Sequence, residues 1–161
     1  ASFIKQKYDS DYDSTCNYYR WKMTVSDKDL SSSFDSKISD VGIIQNIYVR
    51  KRVSGGAAVS VVVEGDKNTV TLDSESLIRQ AFGNAAVTLE TNGGTVNTPY
   101  LPSTFCIFES QEKDGEKYFV ITGGGFGHGI GMSQNAVNAM TKRGMSYKDI
   151  LEFFYPGTKV A

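Results

Sequence analysis

Between Gly123 and Gly131 glycine occupies every second position, within the string Gly123-Gly124-Gly125-Phe126-Gly127-His128-Gly129-Ile130-Gly131-Met132-Ser133-Gln134. Glycine loses the most conformational freedom on folding, and in exchange it reaches φ > 0 and lets the backbone approach a ligand closely. The run carries the single histidine of the sequence. It closes on Ser133 and Gln134, where a helix reads as beginning. A helix start aims unpaired N–H groups and partial positive charge at whatever precedes it. Together these features mark a candidate site.

Several chemistries can be weighed against that string. A phosphate-binding loop would need a lysine followed by Ser or Thr, and a dinucleotide fingerprint needs a different glycine spacing; both are missing. A zinc centre would need about four ligands, usually at close spacing, and one histidine with two distant cysteines falls short. Ser133 lies five residues from His128 with no third group in evidence, and is better explained as an N-cap than as a nucleophile. A neutral imidazole in this setting can hydrogen-bond a hydroxyl or an amide. The competing structural account makes the run a packing device. No cofactor or metal is expected.

Composition bounds the rest. With 161 residues, 40% hydrophobic content and three prolines, the chain reads as one folded domain, residues 1–161. A net charge of −1 and the lack of a basic block speak against nucleic acid. No apolar run approaches the ~20 residues that a membrane-spanning helix needs. The opening Ala1-Ser2-Phe3-Ile4-Lys5 carries neither initiator Met nor signal pattern, and is expected to begin a mature or excised piece. Cys16 and Cys106 read first as free thiols and second as a disulfide.

Local patterns predict an α+β fold: a mainly antiparallel sheet or small barrel, short capped helices and a C-terminal helical pair. Residues 1–17 read as an irregular arm. Residues 18–25 alternate as a half-buried strand, and Ser26 with Asp29 caps a helix to about Phe34. The runs 43–53 and 59–63 flank Ser54-Gly55-Gly56 as a hairpin, and 69–72 extends it. A second helix is expected from Asp73 to Gly83, with Leu72 and Leu77 as a hydrophobic staple. Residues 86–89 form a weaker strand, followed by the loop Asn92-Gly93-Gly94. Residues 103–109 and 117–122 form a hairpin about Asp114-Gly115. Helices then start at Ser133 and Ser146, separated by Gly144.

Among the glutamates, Glu64, Glu112 and Glu116 fall in turns, Glu75 and Glu152 on helices, and Glu90 and Glu109 after strands. None sits in an apolar context that would make it a general acid near neutrality.

Three stretches resemble the SpoIID/LytB family: Tyr18-Tyr19-Arg20-Trp21; Gly125 through Gln134; and Gly144-Met145-Ser146-Tyr147-Lys148-Asp149-Ile150-Leu151, running into Tyr155-Pro156-Gly157-Thr158. Leu101-Pro102-Ser103-Thr104-Phe105 is also similar to a family strand. The resemblance implies a lytic transglycosylase of endospore-forming bacteria that acts on peptidoglycan strands stripped of their stem peptides, or an enhancer of cell-wall amidases. In the former, one carboxyl group protonates the glycosidic oxygen and the sugar's own C6 hydroxyl attacks C1, unlike the two-carboxylate hydrolases.

The family's glutamate would lie upstream of Ala1. The resemblance therefore assigns no catalytic residue here, and implies the carboxy-terminal lobe of a longer extracytoplasmic protein, held at the wall or the membrane through an N-terminal segment. Implied partners are glycan strands and other engulfment or cell-wall hydrolase proteins. The substrate-binding residues it implies are His128, Gly129, Gly131, Met132, Ser133 and Gln134, with Tyr18, Tyr19, Trp21 and Tyr155 supplying rings. The chain departs from the family at Gly124, where Arg is common, at Phe126, where Trp is common, and at Asn135 and Ala136.

Overall fold

The computed structural model describes residues 2–160, with the side chains of residues 2–3 and 84–86 outside the description; Ala1, first residue of the expected arm, also lies outside it. The fold is α+β and is organised around β1 (Trp21–Ser26), whose alternation buries Trp21, Met23 and Val25 and exposes Lys22. On one side β1 pairs antiparallel with β8 (Glu116–Gly123), from Trp21 opposite Gly123 to Ser26 opposite Tyr118. On the other it pairs with β5 (Asn84–Thr91). With β6 (Gly94–Thr98) and β7 (Cys106–Lys113) these strands form a five-stranded sheet in the order β6-β5-β1-β8-β7.

A second antiparallel sheet holds β2 (Ile44–Arg52), β3 (Ala58–Gly65) and β4 (Thr69–Leu72). The two sheets do not close into a barrel. Arg52 ties them together, donating to the carbonyls of Gly56 (2.7 Å) and Cys106 (2.8 Å). Helices α2 (Asp27–Lys37) and α3 (Glu75–Phe82) fill the shared core with Leu30, Phe34, Ile78 and Phe82. Full burial of such side chains contributes roughly 1.5–3 kcal/mol each. The Phe34 and Phe82 rings lie 6.0 Å apart, and Phe82 and Phe108 lie 4.8 Å apart.

Most caps lie where the sequence places them. Ser26 accepts from Asp29 N–H at 3.1 Å, and Ser146 with Asp149 forms a complete capping box. At Asp114-Gly115 both residues take positive φ (54° and 79°), the geometry of a tight two-residue hairpin turn.

The second helix differs from expectation. Its N-cap is Ser74, not Asp73; Asp73 instead accepts the hydroxyl of Ser60 at 2.6 Å. That shift leaves Leu77 exposed, so the expected staple does not form. Strand β1 also starts later than expected, because residues 18–20 turn toward the arm. The arm itself is not wholly irregular: the short helix α1 (Ser2–Lys5) precedes a chain of turns, with Cys16 N–H on Asp13 O (2.9 Å) and Tyr19 N–H on Cys16 O (3.0 Å). Past β8, the glycine run leads into the helical pair α4 (Gln134–Lys142) and α5 (Tyr147–Phe154), with Gly144 at φ 80° between them. Both cysteines are free thiols.

Candidate functional site

The glycine run divides into an anchored base and a free arch. At the base, Gly123 lies flat on Trp21: a Cβ there would sit 2.2 Å from the indole Cζ2. Gly124 N–H donates to Phe105 O (3.0 Å), Gly125 N–H to Tyr18 O (2.7 Å) and Gly127 N–H to Pro102 O (2.8 Å). Ser103 Oγ donates to Gly124 O at 2.7 Å, and Trp21 Nε1–H to Gly125 O at 3.1 Å. From the base into the arch, Gly125, Gly127, Gly129 and Gly131 all take φ between 74° and 118°. The intervening Phe126, His128 and Ile130 keep negative φ. The two-residue spacing in the sequence is thus an alternation of backbone hand that only glycine supports without strain.

This alternation curls the chain around His128. Ile130 N–H donates to His128 Nδ1 at 2.9 Å across Gly129, whose φ of 74° makes that return possible. Ser133 caps α4, accepting from Ala136 N–H at 3.2 Å, so its side chain is committed to the helix. Gly129, Gly131 and Met132 are exposed along the arch, and Gln134 is exposed at the start of α4. The Tyr155 hydroxyl lies 3.5 Å from where a Cβ on Gly131 would project.

The rings divide sharply. Trp21 is 2% exposed and offers no face to a ligand; it is the floor under the loop. Tyr19 is buried as well. Its hydroxyl donates to Asp11 Oδ2 (2.5 Å) and accepts from Tyr8 N–H (3.0 Å). Burial, and then the Asp11 carboxylate, push that phenol above its ordinary value. Tyr18 is half-buried and packs against Phe126 with ring centroids 4.8 Å apart and planes tilted by 44°, while Phe126 itself is 66% exposed.

A cleft of about 850 Å³ separates the arm from the arch, and Tyr18, Arg20, Phe126, His128, Ser133 and Gln134 all line it. Asp11 and Asp13 line it too. Neither carries a sequence signal, since a polar arm without periodicity gives no hint of what its side chains face. Phe126 and Arg20 stand inside quoted motifs, yet only the fold separates an exposed Phe126 from a buried Trp21.

Arg20 donates to Gln6 O (2.8 Å) and Tyr19 O (2.7 Å), and its guanidinium lies 4.0 Å over the Tyr19 ring. Its Nη1 is 3.2 Å from where a Cβ on Gly124 would be, so the guanidinium occupies the space into which a side chain at 124 would grow. A second groove, of about 720 Å³, lies by β1, β5 and α2, with Asp27, Asp29, Glu90 and Glu116 on its walls; it shares no residue with the glycine run. Among the described residues, no three His, Cys, Asp or Glu side chains converge as a metal-ligand group.

A family model described as a domain of unknown function, DUF8618, matches residues 1–131, most of the chain and all but the end of the arch. The chain belongs to this family. This DUF8618 member is also similar to two curated proteins of Bacillus subtilis (strain 168). It is 55% identical to the amidase enhancer over 47 residues, 29% of this chain and 6% of that protein. It is 46% identical to stage II sporulation protein D over 41 residues, 26% of this chain and 12% of that protein. Stage II sporulation protein D of Bacillus amyloliquefaciens matches to the same extent. These similarities support the SpoIID/LytB resemblance read from the sequence, over about a quarter of the chain. The matched segments span only a small part of the relatives' own length.

Proposed function

We propose that this DUF8618 chain is the glycan-binding lobe of a SpoIID/LytB-like cell-wall protein, and that the cleft between the arm and the glycine arch holds a peptidoglycan strand. The observation that carries this reading is the exposed Phe126 ring, backed by Tyr18, standing beside His128 and the start of α4 on one cleft wall. Sugars are bound by such a pairing of an apolar ring face with nearby donors and acceptors. His128, Gln134 and the arch N–H groups would meet hydroxyl and acetamido groups. The protein would work outside the cytoplasm, alongside other cell-wall hydrolases. No helix among the described residues is long and apolar enough to cross a membrane.

The reaction proposed for the whole protein is lytic cleavage of denuded glycan strands. A carboxyl group gives its proton to the departing glycosidic oxygen as the C1–O bond breaks, the muramyl C6 hydroxyl closes on C1, and the resulting carboxylate takes up the C6 hydroxyl proton. Incubation of the full-length protein with denuded strands should release chains ending in 1,6-anhydro-N-acetylmuramic acid. Reducing ends alone would mean hydrolysis and would overturn the transglycosylase reading.

The 55% identity to the amidase enhancer favours a second reading, a non-catalytic wall-binding or amidase-enhancing module. Glycan binding with no cleavage, joined to stimulation of an added amidase, would decide for it.

A further inference from the structure

The contact between Ile130 N–H and His128 Nδ1 (2.9 Å) fixes more than the shape of the arch. A backbone N–H can only donate. Nδ1 must therefore present its lone pair, and the neutral imidazole must carry its proton on Nε2. The glycines enforce this. Gly127 at φ 118° and Gly129 at φ 74° fold the chain on both sides of the ring, and neither position would meet a neighbouring atom if it bore a Cβ. Their role is conformational, not one of packing.

The ring is exposed and lines the cleft, so Nε2 is the nitrogen a ligand can reach. We infer that His128 is a fixed Nε2–H donor whose partner is an uncharged carbonyl oxygen, the acetamido group of an N-acetylhexosamine, and not a base that takes a hydroxyl proton. This rests on the glycan-binding reading above and sharpens it. A donor selects for the acetamido group over a free amine at the same carbon, because an ammonium offers no acceptor. Ile130, through its backbone alone, acts as the positioning group for the ring.

Two measurements test the inference separately from the reading beneath it. The first is a long-range proton–nitrogen NMR correlation of the imidazole at alkaline pH, on the free 161-residue chain. With a single histidine the spectrum needs no assignment by mutation. The expected pattern has Nε2 protonated and Nδ1 bare. A protonated Nδ1, or an even mixture of the two tautomers, overturns the fixed donor whether or not any glycan binds.

The second is the affinity of the chain for denuded glycan strands and for the same strands after chemical N-deacetylation. His128→Asn keeps an amide near the Nδ1 position but loses the outer donor, and should bind acetylated strands about tenfold more weakly. His128→Gln, whose amide reaches toward the Nε2 position, should regain most of that loss. N-deacetylation should weaken the wild type by a similar factor and add little to the loss in His128→Asn, as for two changes removing one contact. Equal affinity of the wild type for both kinds of strand, or fully additive losses, overturns the acetamido assignment. If the wild type binds neither strand, the glycan reading falls with it, and the NMR result still judges the donor state.

Discussion

Trp21 Nε1–H donates to the carbonyl of Gly125 at 3.1 Å while the face of the same indole presses on Gly123. One buried ring therefore holds both the end of a core strand and the start of the glycine arch. Trp21→Phe keeps much of the apolar packing but leaves Gly125 O without its donor, and should destabilise the chain by about 1–3 kcal/mol in urea unfolding. Gly123→Ala places a methyl inside the indole and should cost about as much or more. The two changes share one contact, so their effects should not add: Gly123→Ala should be milder in the Trp21→Phe background. Full additivity would separate the loop from the ring.

Phe126 presents the opposite case. Its ring is exposed and its backing is Tyr18 at 4.8 Å. Phe126→Ala should leave stability within about 1 kcal/mol while glycan affinity falls about tenfold. Trp21→Phe and Phe126→Ala thus divide the two aromatic positions into a structural one and a binding one. A loss of stability with unchanged affinity in Phe126→Ala would reverse that division.

What is legible in the sequence follows the range of the interaction. Ser26, Ser133 and Ser146 are readable as caps because the donor they satisfy lies three residues away in sequence. Asp114-Gly115 is readable because a tight hairpin demands positive φ at both positions. Ser74 is not readable as the cap because Asp73 and Ser74 are equally able to cap, and the choice is made by Ser60, which lies thirteen residues upstream of Asp73 and claims it. The full extent of β5 is not legible locally because its pairing with Trp21–Met23 is a long-range property. At the site, the glycine spacing announced an unusual backbone. Which rings face the cleft did not follow, since alternation in residues 18–21 breaks where Tyr18–Arg20 turn toward the arm. The placement of Asp11 and Asp13 depends on bonds as distant as Asn92 N–H to Asn17 O (2.9 Å), which anchors the arm to the β5–β6 turn.

Ser133 separates a capping role from a chemical one. Its hydroxyl is the acceptor for Ala136 N–H, so Ser133→Ala should lower stability by about 1 kcal/mol and Ser133→Asp should restore it. Amide exchange should quicken in α4 in the alanine variant. Labelling of Ser133 by a fluorophosphonate probe would contradict the capping assignment.

The turn before β2 carries a pH-dependent contact. Lys67 Nζ lies 3.0 Å from an Asp40 carboxylate oxygen. The Lys67 ammonium holds the Asp40 carboxyl below its ordinary value, against an opposing effect of desolvation and with a lesser contribution from the Gly42 N–H, and Asp40 raises Lys67. A lowered carboxyl stabilises the fold above its ordinary value of about 3.9 and loses that contribution as pH falls through its folded value. A raised ammonium contributes fully below about 10.4 and loses its part as pH rises through its folded value. Lys67→Met should therefore lower Tm slightly at neutral pH, with the difference from wild type vanishing in strong acid and shrinking in high salt, because both side chains face solvent. A Tm difference unaffected by pH and salt would show that the methylenes of Lys67, not its charge, hold the turn.

The two thiols should report on different parts of the molecule. Burial pushes the Cys106 thiol up to about 12, while the half-buried Cys16 is raised less, by burial and then by the Asp13 carboxylate. Thiolate is the reactive form, so both should react more slowly than a free cysteine at mildly alkaline pH. Cys106, with no exposure, should react only when the core opens. In the native protein an aromatic disulfide reagent should titrate one thiol, Cys16, and the second should appear only in urea. Asp13→Asn removes a negative charge beside Cys16 and should accelerate the first reaction without changing the second. Two thiols reacting together in the native state would place Cys106 outside the core. None reacting even in urea would mean that Cys16 and Cys106 are joined.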